Sequence, residues 1–282
     1  MRPVILSHYQ ATPLLRARKA GQASVRTSID LNLTQTLGQL SDAGLVLPDR
    51  RVVPWAAIEQ AEENENGCFA VEGDVVTKIQ AFSETTGRMI TLYPTPAAPT
   101  ILISGIPMHR IKGTDPIQDT LAKLRAIGTI SGRVLDTATG LGYTACLASR
   151  RNTREVVTIE LDPAVLEVAH QNPWSKELFE SPKITQLEGD ASELIRHFPD
   201  EWFDYVIHDP PAFSLAGEMY SADFYTHLLR VLAPGGRVFH YLGDPESRLS
   251  GNVTRSAVRR MKEAGFGHII PHPEAFGVVA SR

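Results

Sequence analysis

Four acidic residues punctuate the second half of the chain, each where an apolar, strand-like run stops. Asp136 closes RVLD, Glu160 closes VVTIE, Asp190 follows ITQLEG and Asp209 follows FDYVIH. Gly140 and Gly142 stand between Asp136 and the next helix-like stretch. Asp209 is followed by Pro210, Pro211 and, one residue on, Phe213. Carboxylates placed this way accept hydrogen bonds from hydroxyls and amines, attract cations and repel phosphate.

The stretch VLDTATGLGYTA (134–145) is the first strand-to-helix turn of that half. It is neither GxGxxG nor GxxxxGK[ST], and it holds no lysine. Asp136 at the strand end would repel a pyrophosphate and suits a ligand with a cationic amine. That points away from dinucleotides and ATP. It points toward S-adenosylmethionine, which carries an amino-acid head and a sulfonium. Gly140 and Gly142 permit a tight turn and a close approach of backbone to ligand. Thr137 and Tyr143 lie in the same loop, with Tyr143 expected along the cofactor edge. Glu160 comes 24 residues after Asp136, near the spacing of about 20 at which an acid on the next strand meets ribose hydroxyls. Leu161 follows it on the same edge. Asp190 can accept from an adenine amino group while the Ala191 N–H faces a ring nitrogen; Asp190 is equally suited to cap the helix that follows.

The fourth strand end reads HDPPAFS (208–214). Two prolines donate no hydrogen bonds and fix their own φ, so the loop is expected to be stiff, with carbonyls open to accept. A carboxylate (Asp209), the carbonyls of Pro210 and Pro211 and an aromatic ring (Phe213) together suit a planar amine. His208 reads as a base beside Asp209 or as a buried, hydrogen-bonded residue. Tyr220 reads as a pocket wall or as core.

These residues need a frame to hold them. From DPIQDTLAKLRAIG (115–128) onward, helix-like and strand-like runs alternate. Strands are expected near 133–136, 155–160, 184–188, 203–208 and 236–241. Helices are expected near 143–151, 163–171, 191–198, 221–232 and 253–264, and the tail supplies two last strands. Alternation of this kind predicts a mostly parallel sheet covered on both faces. The fold class is therefore α/β, doubly wound and Rossmann-like, with a small mostly-β N-terminal domain. The boundary is set at 1–112 and 113–282. In the first region, 25–34, 74–82, 88–93 and 100–106 read as strands and 55–64 as a helix. The segment 105–120 carries Met108, His109, Arg110, Asp119 and Thr120 just before the first strand of the sheet.

Composition narrows the function. The 282 residues are 43% hydrophobic and 21% charged, ordinary for a globular protein. No apolar run nears the roughly 20 residues of a membrane span, and the four apolar residues at the N-terminus are too few for a signal peptide. A cytoplasmic protein without membrane contact is expected. Two isolated cysteines, Cys68 and Cys146, and nine scattered histidines give no metal spacing. Neither cysteine is near 209–214, which disfavours base methylation through a thiolate adduct. The formal charge of −4 lies wholly after residue 115. Two basic clusters, Arg2–Arg26 and Arg255–Lys262, permit RNA without demanding it.

The ordered set DTATGLGYTA, Glu160, Asp190, HDPPAFS and LLRVLAPGGRVFHYLG (228–243) resembles class I S-adenosylmethionine-dependent methyltransferases. More narrowly it resembles a predicted group best known from archaea. The resemblance covers about residues 115–282 and implies a seven-stranded methyltransferase sheet with S-adenosyl-L-methionine as cofactor. In related enzymes the segment before the first strand often contacts the methionine tail, which adds Asp119 to the cofactor set. TIELDPAVLEVAHQNPW followed by EGDASELI also resembles the spermidine-synthase branch, whose members carry a small β domain in front and use the decarboxylated cofactor. The glycine loop and the single acid of the catalytic loop depart from that branch, and Asp136 suits the complete methionine head. Three readings stay open: methyl transfer to an amine (a small molecule or an exocyclic base amine in RNA), aminopropyl transfer to a polyamine, and a non-catalytic cofactor-binding module. A homodimer is compatible with each.

Overall fold

The computed structural model describes residues 3–211, 216–244 and 246–282. The chain forms two compact units, one of residues 1–116 with 167–176, the other of residues 117–166 with 177–282.

Among its described residues the first unit holds three antiparallel sheets and two complete α-helices. One sheet pairs Val4–Leu6, Phe69–Glu72 and Val75–Lys78. A second runs from Ser24–Thr27 to Val52–Pro54, and a third from Gln80–Ser83 to Ile106–Pro107. Helix Trp55–Glu63 begins directly after Pro54, as the sequence predicts. Helix His8–Lys19 was not anticipated, because Pro13 sits inside it and proline normally breaks a helix interior. Its signal was present in SHYQ. Ser7 accepts from the backbone of this helix while Gln10 reaches back to the Ser7 amide at 2.9 Å, a capping box. Part of the first basic cluster is used within this unit: Arg18 stacks on Trp55 at 4.5 Å and pairs with Glu59 at 2.8 Å.

The second unit carries the sheet on which the acids sit. In chain order its principal elements, beside the short helix Lys176–Glu180 that carries Leu178, are α1 (Pro116–Ala126), β1 (Ser131–Asp136), α2 (Tyr143–Ser149), β2 (Asn152–Glu160), α3 (Pro163–Gln171), β3 (Ile184–Glu188), α4 (Ala191–Leu194), β4 (Phe203–His208), α5 (Ala222–Val231), β5 (Leu232–Tyr241), α6 (Arg248–Ala264), β6 (Gly267–His272) and β7 (Gly277–Ser281). The last residues of α3 fall in the first unit. The strands lie in the order β3-β2-β1-β4-β5-β7-β6. Strands β1 to β5 are parallel, and β7 runs antiparallel between β5 and β6. Parallel strands buried on both faces read as near-continuous apolar runs. Val134, Leu135, Val156, Ile159, Val206 and Val238 are accordingly buried.

Helix starts follow their caps. Asp162 Oδ1 accepts from Ala164 N at 3.0 Å at the head of α3, and Ser221 Oγ accepts from Phe224 N at 3.1 Å at the head of α5. Among the described residues no helix is long and apolar enough to cross a membrane. Strand order reverses between β1 and β4, and in open α/β sheets ligands bind outside the carboxyl ends of the strands at such a point. Asp136 pairs in register with Ile207 there, so the two acid-bearing loops leave the sheet side by side.

Candidate functional site

Asp136 ends β1 fully buried. Its Oδ2 accepts from the Thr158 hydroxyl at 2.9 Å. Thr158 spends its proton on that carboxylate, so Thr139 must donate to Thr158 across their 2.7 Å contact. Asp136 Oδ1 has no hydrogen-bond partner among the described residues. Burial, with smaller contributions from the neighbouring Asp209 and Glu160, pushes this carboxyl up to about 8 against the pull of the Thr158 hydroxyl and the Ala138 amide. A buried carboxylate with an unmet oxygen is costly and invites a cation or an N–H donor.

The two glycines of the loop divide their work. Gly140 (φ +54°) has nothing within 4 Å of where a Cβ would stand, so its face is open. Gly142 (φ +72°) is filled from within, since a Cβ there would lie 2.6 Å from Leu178. The expectation that both glycines admit a ligand is thus corrected for Gly142, which serves packing and the left-handed start of α2. Gly142→Ala is expected to destabilise the fold by roughly 1–3 kcal/mol through overpacking and left-handed strain. Denaturant unfolding checks this, and a loss under about 0.5 kcal/mol would refute it.

Glu160 ties the loop to β2. Its Oε2 accepts from Gly140 N at 2.9 Å and its Oε1 from Asp162 N at 3.1 Å. Burial pushes this carboxyl up to about 7 against the pull of those amides. Leu161 beside it is 46% exposed, an apolar side chain left in the open. Asp190 is exposed and caps α4, accepting from Ser192 N at 2.7 Å; Ala191 is buried behind it. Thr137 donates its amide to Ile207 O at 3.1 Å. Tyr143, expected along an edge, is instead enclosed by protein, because it opens a helix whose first residues are all buried.

Asp209 leaves β4 with its side chain 17% exposed. Its Oδ2 takes a 2.6 Å ion pair from Lys123, which also contacts Asp119 Oδ2 at 2.9 Å. The Lys123 side chain is 2% exposed and its ammonium lies 4.7 Å from the Tyr241 ring centroid. The two carboxylates hold the lysine cationic despite burial, well above its ordinary range. Sequence reasoning selected Asp119 and Asp209 and missed Lys123. The signal available was the i,i+4 spacing of Asp119 and Lys123, which by itself reads as an ordinary surface pair. The carbonyls of the proline loop are not all open: Tyr220 donates its hydroxyl to Pro211 O at 3.1 Å. Pro210 is buried. Phe213 lies outside the described residues.

His208 is fully buried, with both ring nitrogens engaged. Its Nε2 faces the Met219 carbonyl at 2.9 Å, so that nitrogen carries the proton; Nδ1 accepts from the Thr137 hydroxyl at 2.8 Å. Burial pushes it down to about 3. The His240 ring lies 4.3 Å away, tilted by 43°, and its pKa is lowered by burial and by His208. Its Nδ1 points at the His208 carbonyl at 3.4 Å, and its Nε2 accepts from the Tyr225 hydroxyl at 2.9 Å. Both cysteines are buried, and burial raises the Cys146 thiol to about 12, which keeps it protonated. In the second basic cluster Arg255, Arg259 and Lys262 are exposed, while Arg260 donates to the Tyr220 carbonyl at 3.1 Å.

Comparison with known proteins agrees with this frame. Residues 134–236 match a family model described as a methyltransferase domain. The solved spermidine synthase in complex with the transition state analogue AdoDATO superposes with a TM-score of 0.59 at 18% identity, over 74% of this chain and 76% of that one. That likeness is one of fold: the second unit is a Rossmann-like, methyltransferase-type domain. Polyamine aminopropyltransferase 2 of Streptomyces coelicolor is 32% identical over 147 residues, which is 49% of this chain and only 26% of that protein. Uncharacterized protein MJ1233 of Methanocaldococcus jannaschii is 50% identical over 230 residues, 81% of this chain and 78% of that protein. With that identity over that share of both proteins, the chain belongs to the family of MJ1233.

Proposed function

We propose that the chain is an S-adenosylmethionine-dependent methyltransferase acting on an amine nitrogen. The observation that carries this reading is Asp136, a fully buried carboxylate at the switch point with one oxygen unmet. It fits the ammonium of an amino-acid head and opposes phosphate. The open face of Gly140, the carboxylate of Glu160 and the exposed Leu161 fit the nucleoside that goes with that head. Asp190 and Ala191 stand at the next strand end for the adenine edge. When bound, the cofactor supplies a methyl group activated by its sulfonium.

The chain's own residues then have two tasks. Asp209 accepts an N–H of the acceptor amine; a carboxylate has lone pairs enough to hold both Lys123 and an amine. Its charge stabilises the cation that develops on nitrogen as the new bond forms. The Pro210 carbonyl and Phe213 are assigned to the same amine, the first as a second acceptor and the second as a stacking surface. The acidic edge favours a small cationic amine over a phosphate-bearing acceptor.

A second reading, aminopropyl transfer to a polyamine, is favoured by the aminopropyltransferase relative and by the fold of spermidine synthase. Calorimetric titration with S-adenosylmethionine and with its decarboxylated form separates the two. Tight binding of the complete cofactor, followed by label transfer from its methyl group into an amine, supports the first reading. Tight binding of the decarboxylated form alone overturns it. A module that binds cofactor without catalysis predicts no label transfer into small amines, protein or RNA.

A further inference from the structure

Lys123 is a buried residue of this site to which the reaction outlined above gives no task. Placing a lysine at 2% exposure is unfavourable unless its charge is paired and hydrogen-bonded. The surroundings answer with two carboxylates from different elements, Asp119 one helical turn back on α1 and Asp209 at the end of β4, and with the Tyr241 ring at the end of β5. The three charged groups sum to −1, so the cation does not neutralise the site; it leaves one negative charge on a fixed frame. Its stem rises from α1, while Asp209 opens the proline loop 86 residues further on. A cation this enclosed does not meet solvent, so its effect on any acceptor passes through Asp209.

We propose that Lys123 is the positioning residue of the transfer site, holding the Asp209 carboxylate ionised and in one orientation for the acceptor amine; this rests on the methyl-transfer reading above. Several further groups surround this pair. Asp119 faces the same ammonium from α1. Asp136 at the end of β1 is coupled to Asp209 by charge, and Glu160 at the end of β2 is coupled to Asp136. Tyr220 stands after the loop, coupled to both Asp209 and Tyr241. His208 and His240 are neutral. Apart from Lys123, every group in that set is acidic or neutral. Without the lysine, Asp209 would lose the ammonium 2.6 Å from its Oδ2 while its coupling to Asp136 remained, and a carboxylate that loses a cation beside it retains a proton more readily. A structural clamp alone would not predict that consequence.

The test has two arms on the full-length protein. The first is side-chain ¹⁵N NMR of lysine-labelled wild type, Asp209→Asn and Lys123→Arg. A slowly exchanging ammonium signal, absent from Lys123→Arg and shifted in Asp209→Asn, is expected. A signal unmoved by Asp209→Asn overturns the proposal whatever the enzyme does. The second arm is the pH profile of kcat/KM for the amine acceptor. Lys123→Gln, and the double variant Asp119→Asn with Lys123→Gln in case the single one does not fold, are expected to lose at least tenfold in kcat. Their acid limb is expected to move up by about one pH unit or more. Lys123→Arg is expected to keep the wild-type profile. A folded Lys123→Gln or double variant with the wild-type kcat and profile overturns the proposal, as does a lowered kcat with an unmoved limb, which is the mark of a clamp only. If the wild type transfers no methyl group, the methyl-transfer reading fails by that result. The same profiles are then taken for aminopropyl transfer, and with neither reaction the NMR arm decides whether Lys123 holds Asp209.

Discussion

Asp209→Asn is expected to slow methyl transfer by about two to three orders of magnitude while cofactor affinity changes little. The substitution keeps the shape of the side chain and an oxygen that can accept from Lys123, whose ammonium lies 2.6 Å from Asp209. It removes the negative charge beside the nitrogen that becomes cationic as it takes up the methyl group. Interactions that strengthen only as that charge develops act on kcat rather than on binding. Folding is expected to survive, because Lys123 retains Asp119 at 2.9 Å. Deleting a partner outright from a buried pair would cost about 3–5 kcal/mol, so Asp209→Ala confounds chemistry with stability and the asparagine is the better probe. Initial rates with labelled cofactor, beside a calorimetric titration of the same variant, give the answer. A loss below about tenfold, near 1.4 kcal/mol, would remove Asp209 from the reacting centre.

Asp136→Asn is expected to move stability and binding in opposite directions. The Asp136 carboxyl is pushed up to about 8 in the folded chain, against about 3.9 in an unfolded one. A raised value means that the folded state holds the proton more tightly. The stabilising contribution is therefore complete below about pH 4 and is lost as pH rises through 8. Asparagine has no such loss, so the variant is expected to be more stable than wild type at pH 9 and to lose that advantage toward pH 5. Binding goes the other way. If Asp136 receives the ammonium of the cofactor, affinity in the wild type climbs between pH 6 and 8 as the carboxylate forms, and binding near pH 7 releases a proton. The variant is expected to bind about tenfold to a hundredfold more weakly, a charge-assisted hydrogen bond being worth roughly 1.5–3 kcal/mol, and to show no such slope. Denaturant melts at the two pH values and titrations in buffers of different ionisation enthalpy measure both effects. Equal affinity in the two proteins at pH 8 would detach Asp136 from the ligand.

Much of the frame was legible because the sheet writes itself in runs of two kinds. Ile184–Glu188, Phe203–His208 and Pro163–Gln171 fall where apolar runs and a helical period place them. The acids Asp136, Glu160 and Asp209 stood out because each follows on a mostly apolar run that the sheet buries. What escaped depends on separations that local pattern does not carry. Lys123 meets Asp209 across 86 residues. Gly142 owes its bareness to Leu178, which no spacing rule connects to it. The Pro211 carbonyl is taken by Tyr220, a partner that only the folded loop supplies. Helix His8–Lys19 was hidden by Pro13, although Ser7 and Gln10 announced its start.

The two histidines behind the proline loop have a further consequence. Tyr225 donates to His240, His240 points its N–H at the His208 carbonyl, Thr137 donates to His208, and His208 donates to the Met219 carbonyl. Each imidazole gives its only N–H to a carbonyl, and carbonyls have no proton to return. The chain is thus a one-way street, and neither ring can exchange tautomer to carry a proton out of the site. A proton lost by the acceptor is therefore left to Asp209 or to water. Neither histidine should then contribute a limb to the pH profile of transfer, which should follow the acceptor nitrogen and the carboxylates of the site.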